Sequence, residues 1–164
     1  MNKAIRFSVV LFSAAASPAV LADSNTATIT VRVTVNSVPC KVNNNQAIDV
    51  DFGNNVITSD VAKGAYEKSV NYALDCSNAD AAKTLKMRIA GTGATFDSKV
   101  LKTNISTLGI KIKADGADFP LNTNLALASK SSKPALTALL VQQSGAKLPT
   151  GSFSAGATMT VDYQ

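Results

Sequence analysis

The sequence contains no His, no Trp and a single Glu, Glu67. Without imidazole there is no side chain whose ordinary pKa lies near neutrality to serve as a general base, and the commonest nitrogen ligand for a metal is missing. One Glu beside ten Asp leaves acid/base pairings scarce. No Ser or Cys nucleophile has a base to activate it. An enzymatic function is therefore not expected, and neither is a cofactor or a metal site. Aromatic residues make up only 5% of the chain, which gives little material for stacking sugars. Gly and Pro together number 14, too few for a collagen-like or low-complexity chain. What the 164 residues do contain is a 46% hydrophobic fraction, enough to fill the core of one compact domain.

The first segment stands apart from that domain. Met1 to Arg6 carries two positive charges, Phe7 to Ala16 is an apolar run, and Val20-Leu21-Ala22 offers the residue sizes that a signal peptidase reads. Cleavage is expected after Ala22, making 1–22 a signal peptide. The alternative, a membrane anchor, would need about 20 uninterrupted apolar residues. Ser17-Pro18 breaks the run well before that, so the protein is not expected to be membrane-embedded. Removing 1–22 leaves 14 basic against 11 acidic residues, a net +3 in place of +5. No basic run with interleaved aromatics survives, and nucleic acid is not an expected partner.

Export gives the two cysteines their meaning. In an oxidising compartment Cys40 and Cys76 are expected to form a disulfide. A metal site would want more ligands at closer spacing, and a redox site would want the C-x-x-C spacing that lowers a thiol pKa.

Period-two alternation dominates the chain. Ile29, Val31, Val33 and Val35 alternate with Thr28, Thr30, Arg32 and Thr34, and Leu85, Met87, Ile89 and Leu108, Ile110, Ile112 repeat the pattern. Turn signals fall between the runs, at Asn43-Asn44-Asn45, Gly53-Asn54-Asn55, Gly91-Thr92-Gly93, Asp115-Gly116 and Pro149-Thr150-Gly151. Short strands with frequent turns predict an all-β sandwich or barrel. Asp60 to Ala65 suits a helical turn. Pro134 to Gln143 is rich in Ala and Leu, yet it lies between strand-like neighbours. Sheet context overrides weak helical propensity there, so a strand is expected.

Both ends carry an unusual strand. Residues 26–35 form a long alternating stretch where most secreted domains have a short frayed terminus. At the other end, Ala157, Met159, Val161 and Tyr163 share one face while Thr158, Thr160 and Asp162 share the other. Pairing of both strands inside their own sandwich is the simplest reading of the periodicity.

A second reading comes from the joint spacing of these features. A signal peptide, an alternating arm, Cys40 near the start of the body, Cys76 downstream, a Gly fourteenth from the end (Gly151) and a penultimate Tyr (Tyr163) together resemble a pilin of the chaperone–usher class. Thr28-Ile29-Thr30-Val31-Arg32, Leu108-Gly109-Ile110, Phe119-Pro120-Leu121-Asn122 and the ending Thr158 to Gln164 are similar to minor tip-adaptor subunits of type 1 fimbriae.

The resemblance implies an incomplete immunoglobulin-like β-sandwich, 39–164, preceded by an N-terminal donor-strand extension, 23–38. Such a body leaves a hydrophobic groove beside its C-terminal strand. A periplasmic chaperone lends a strand to cover it, and at the outer-membrane usher the arm of the next subunit replaces that strand. In this chain the donor residues would be Ile29, Val31, Val33 and Val35. The acceptor groove and chaperone-binding strand would use Gly151, Ala157, Met159, Val161, Tyr163 and the terminal carboxylate of Gln164. The implied partners are the chaperone, the usher, neighbouring pilins and an adhesin. The implied location is the cell-surface fimbria, reached through the periplasm.

Val33 departs from many arms of this class, which carry Gly one step before the last inward residue. A β-branched side chain there calls for a roomier pocket and a more selective neighbour. Asp49 and Asp51, two apart, share one face of a strand and read as a solvated surface rather than an ion site. Lys111 and Lys113 read as the outer face of a half-buried strand. The expected function is a structural fimbrial subunit, a minor tip adaptor. A major shaft pilin, a terminator, or a receptor-binding secreted β-sandwich are the alternatives.

Overall fold

The computed structural model describes residues 39–164. The expected signal peptide and the arm, with Ile29, Val31, Val33 and Val35, lie outside the described residues. The strands in chain order are β1 (Lys41–Val42), β2 (Glu67–Val70), β3 (Leu74–Asp75), β4 (Leu85–Gly91), β5 (Leu101–Lys102), β6 (Leu108–Ala114), β7 (Ala117–Asp118), β8 (Asn124–Leu127), β9 (Leu136–Gln142) and β10 (Ala157–Tyr163). One short helix, α1 (Thr58–Val61), follows the loop after residue 52, and a 3-10 turn occupies Asn43–Asn45. The Ala- and Leu-rich stretch after Pro134 is strand β9, because it is held between two ladders, to β2 on one side and β6 on the other.

Two sheets form the layers. One runs β10-β4-β8, and the other runs β2-β9-β6-β5 with β7 paired to β6. Every pairing is antiparallel. The registers place the alternation on opposite faces. In β6, Leu108, Ile110, Ile112 and Ala114 are buried while Lys111 and Lys113 are half-buried on the outer face. In β4, Leu85, Met87 and Ile89 are buried while Arg88 is exposed. Met87 and Leu140 have no solvent exposure at all and mark the centre of the core.

Local chemistry sets the corners. Asp115 and Gly116 both have positive φ, +50° and +81°, as a two-residue hairpin of the primed type requires. Asp115 Oδ1 also accepts the Ala135 N–H at 2.8 Å, tying that hairpin to the entry of β9. Gly109 has a different reason to be Gly. A Cβ there would sit 2.5 Å from Val100 Cγ1, so the chain bearing Val100 could not pack over β6.

The outer face of the larger sheet is polar and charge-paired. Lys111 lies 3.0 Å from Asp118, and Lys113 lies 3.2 Å from Glu67. Glu67 also accepts the Thr137 hydroxyl. These two contacts, Thr137 first, hold the Glu67 carboxyl below the usual carboxylate range. A depressed folded-state value contributes stability above the unfolded pKa and loses it as pH falls through the folded one. A carbon-detected NMR titration is expected to give Glu67 a midpoint below that of a free Glu, and Thr137→Val is expected to move it back up. An ordinary midpoint in the unaltered protein would refute the assignment.

Candidate functional site

The two sheets do not close on each other along β10. This strand has a ladder partner on one side only, β4, through seven register pairs from Ala157↔Gly91 to Tyr163↔Leu85. In an antiparallel ladder about half of an edge strand's backbone groups point away from its partner. Among the described residues, nothing pairs with that outer edge of β10 from another strand.

The facing segment runs from Gln46 to Phe52. Its apolar residues Ile48, Val50 and Phe52 alternate and pack on the core, but among the described residues the N–H groups of residues 47–52 form no backbone hydrogen bonds. Between this segment and β10 lies an open cleft of about 870 Å³. One wall is Asn45 to Val50, and the other is the edge of β10 from Ala157 to Asp162. The floor is the core itself. Ile110 and Ile112 of β6, Ala138 of β9, Val70 of β2 and Leu101 of β5 contribute, together with Ile89 of β4.

The cleft has defined ends. At one, β1 packs beside β10, and the Cys40–Cys76 disulfide ties β1 to the chain after β3. The β1–β3 ladder is only two residue pairs long, so the covalent bond matters to where this wall stands. At the other end the rings of Phe52 and Phe153 meet with centroids 5.9 Å apart. Beyond them a second, more polar cleft of about 540 Å³ begins, sharing Val50, Phe52 and Phe153 with the first.

The residues singled out in the C-terminal segment occupy three different settings. Ala157, Met159 and Val161 line the first cleft; Val161 is fully buried, Met159 half-buried and Ala157 exposed. Tyr163 lies outside that lining. Its hydroxyl accepts the Asp80 N–H at 2.9 Å, and the Lys83 ammonium sits 4.8 Å above its ring. Gln164 continues this anchorage by donating its N–H to the Thr84 carbonyl at 2.9 Å. Gly151 borders the second cleft, with φ of +139°, a conformation that favours Gly. Asp49 and Asp51 are both exposed, and Asp51 Oδ1 accepts the Gly53 N–H in a local turn. Among the described residues no group of three His, Cys, Asp or Glu side chains is placed to hold a metal.

Sequence reasoning missed the second wall. The alternation Ile48, Val50, Phe52 was visible, as the opposite face to Asp49 and Asp51, but nothing local said that its backbone would stay out of a ladder. It also missed the floor as a floor, since Ile110, Ile112 and Ala138 read as ordinary core.

An antiparallel immunoglobulin-like sandwich with its last strand at an edge, beside an uncovered apolar cleft, is the pilin fold. The comparisons with known proteins agree. Residues 27–164 match the family model described as "Fimbrial protein". Two Escherichia coli K12 relatives are the fimbrial-like protein YfcR, 36% identical over 88% of this chain and 85% of its own length, and the fimbrial-like protein YfcQ, 34% identical over 83% and 86%. The minor fimbrial protein PrsF of Escherichia coli is 33% identical over 71% of this chain and 68% of its own. Among solved structures, the P pilus rod subunit PapA superposes with a TM-score of 0.60 at 25% identity, covering 84% of this chain and all of that one. The P pilus adaptor subunit PapF superposes with a TM-score of 0.52 at 26% identity, covering 77% and 96%.

The chain belongs to the fimbrial protein family. It is a pilus subunit of the chaperone–usher type, a class of structural pilins that polymerise with neighbouring pilins into surface fimbriae.

Proposed function

We propose that this subunit is a minor adaptor, joining an adhesin at the fimbrial tip to the shaft by donor-strand exchange. The observation that carries the reading is the cleft. An edge strand and a facing segment, both without ladder partners on the cleft side among the described residues, stand apart over an apolar floor. A strand laid between them gains main-chain hydrogen bonds from the edge and buries alternate side chains in the floor.

The occupant has a stated chemistry, an extended segment with apolar residues at every second position. Residues 26–35 of this chain have it, with Ile29, Val31, Val33 and Val35 on one face. We therefore assign 1–22 as a signal peptide, 23–38 as the donor arm and 39–164 as the acceptor body. Before assembly a periplasmic chaperone supplies the strand, and at the outer-membrane usher a neighbour's arm replaces it. Ala157, Met159 and Val161 serve as the acceptor edge. Gly151, Tyr163 and Gln164 support it from outside the first cleft. Burial of four Val or Ile side chains at about 1.5–3 kcal/mol each explains why an uncapped subunit would aggregate and a capped one persist.

The adaptor role is supported by the similarity to a minor fimbrial protein and to a pilus adaptor. The rod subunit PapA superposes with the higher TM-score, which favours a shaft role instead. Pairwise exchange decides between them. Chaperone complexes of every subunit of the fimbria are mixed two at a time and the exchanged pairs counted by electrophoresis. An adaptor puts its arm into the adhesin-side groove and takes a shaft-side arm, and it does not polymerise with itself. Long homopolymers would overturn the adaptor role, and no exchange with any subunit would overturn the strand-acceptor reading.

Val33→Gly is expected to broaden the set of acceptors entered by this arm, because a smaller side chain tolerates a shallower pocket. Equal exchange rates for the two arms across several acceptors would sink that prediction.

A further inference from the structure

The ladder with β4 begins at Ala157, yet the cleft wall continues back through Ala155, Ser154 and Phe153. Among the described residues this stretch of the acceptor edge has no strand beside it, but it has a substitute. Asn104 Nδ2 donates to the Ser152 carbonyl at 3.3 Å, Asn104 Oδ1 accepts the Ser154 N–H at 2.8 Å, and the Asn104 backbone N–H donates to the Ser154 carbonyl at 3.2 Å. One side-chain amide thus offers a donor and an acceptor to residues two apart, the spacing a neighbouring strand would serve.

The turn carrying Asn104 is itself fixed. Thr103 is buried at 3% exposure; its Oγ1 accepts the Ile105 N–H at 3.0 Å and donates to the Leu108 carbonyl at 2.9 Å. The clamp therefore hangs from the core rather than from a loose loop. Between the two residues it grips lies Phe153, whose ring meets Phe52 across the end of the cleft.

We propose that Asn104 is a positioning residue for strand exchange, holding residues 152–154 so that this end of the acceptor edge is pre-set before an arm arrives. An edge already held in place costs less to order on binding, so the effect falls on the rate of capture. This rests on the strand-acceptor reading above and names a residue that controls it.

The test uses the full mature chain in its chaperone complex, challenged with fluorescent peptides. The peptides are residues 26–38 of this chain and the arms of the other subunits of the same fimbria. Asn104→Ala is expected to slow capture of the accepted arm about tenfold. Asn104→Asp, which keeps the acceptor for Ser154 and loses the donor to Ser152, is expected to fall between that and the unaltered protein. Ser106→Ala, in the same turn and exposed, is expected to capture at the unaltered rate. Thermal midpoints of the chaperone complexes are measured alongside.

Unaltered capture by both Asn104 variants would overturn the proposal, as would rates that fall only in step with the midpoints. If the unaltered chain takes none of the peptides, the strand-acceptor reading fails, and that outcome is distinct from a failure of the Asn104 role.

Discussion

Deletion of residues 23–38 is expected to leave a subunit that still folds onto its chaperone and no longer joins a fimbria on its donor side. Among the described residues, 39–164 supply a core of their own, from Cys40 through Met87 and Leu140 to Val161, at under a tenth exposure. Strands between Lys41 and Tyr163 build both sheets among those residues. The arm's four inward residues would instead be buried in a neighbour, where at about 1.5–3 kcal/mol each they contribute on the order of 6–12 kcal/mol before ordering costs. Removing them removes nearly the whole driving force for capping that neighbour.

The measurement is a co-purification and an exchange assay. The truncated chain is expected to elute as a one-to-one complex with the chaperone, to accept an incoming arm at the unaltered rate, and to donate to no groove. A self-contained sandwich that used 26–35 as one of its own strands would behave in the opposite way, losing its folded state on truncation. That outcome would end the donor-arm assignment. A milder change, Val31→Asp, tests the same face by burying one carboxylate in an apolar site, where an unpaired charge is strongly disfavoured. Loss of exchange with an intact chaperone complex is expected.

Loss of the disulfide is expected to be the largest single effect on the body itself. Cys40 and Cys76 are 36 positions apart, and closing a loop of that size stabilises by roughly 3–4 kcal/mol in the chain-entropy model. That is a large part of the net stability of a small domain. The structure adds a local reason. Cys40 borders the cleft, and the ladder beside it consists only of Lys41↔Asp75 and Val42↔Leu74. Two residue pairs hold a wall poorly, so the covalent link also keeps the Gln46 to Phe52 segment at its distance from β10.

Cys40→Ala with Cys76→Ala is therefore expected to lower the denaturant midpoint of the arm-filled body by the equivalent of about 3–4 kcal/mol. Recovery of the chaperone complex from cells is expected to drop with it. An unchanged midpoint would refute the structural role. The double variant is the right comparison, because a single replacement leaves a reactive thiol that can cross-link subunits.

Alternation was sufficient to read three of the long strands directly from the residues. The runs at Leu85 to Ile89, Leu108 to Ile112 and Ala157 to Tyr163 became β4, β6 and β10, because a half-buried strand must put every second side chain into the core. The Asp115-Gly116 hairpin was equally legible, since few residues tolerate two consecutive positive φ values. The likeness to chaperone–usher pilins also rested on residues alone.

The cleft could not be read that way. Alternation reports which side chains face a core, and it is silent on whether a strand's backbone has a neighbour. Ile48, Val50 and Phe52 carry the same signal as a paired strand, yet their segment forms no ladder among the described residues. Tyr163 shows the converse. On β10 it shares the face of Ala157, Met159 and Val161, but the Asp80 amide and the Lys83 ammonium give its ring and hydroxyl a separate anchorage past the end of the cleft. Asn104, an unremarked polar residue in a turn, came to grip the chain before β10 only when Ser152 and Ser154 folded back beside it, 48 and 50 positions along the chain. The sequence by itself determined the long strands, their inward faces and the cysteine pair, because these follow from local periodicity and chemistry. The open edge, its facing wall and the residues that hold them apart were decided by the tertiary structure, because they depend on which distant segments meet and which do not.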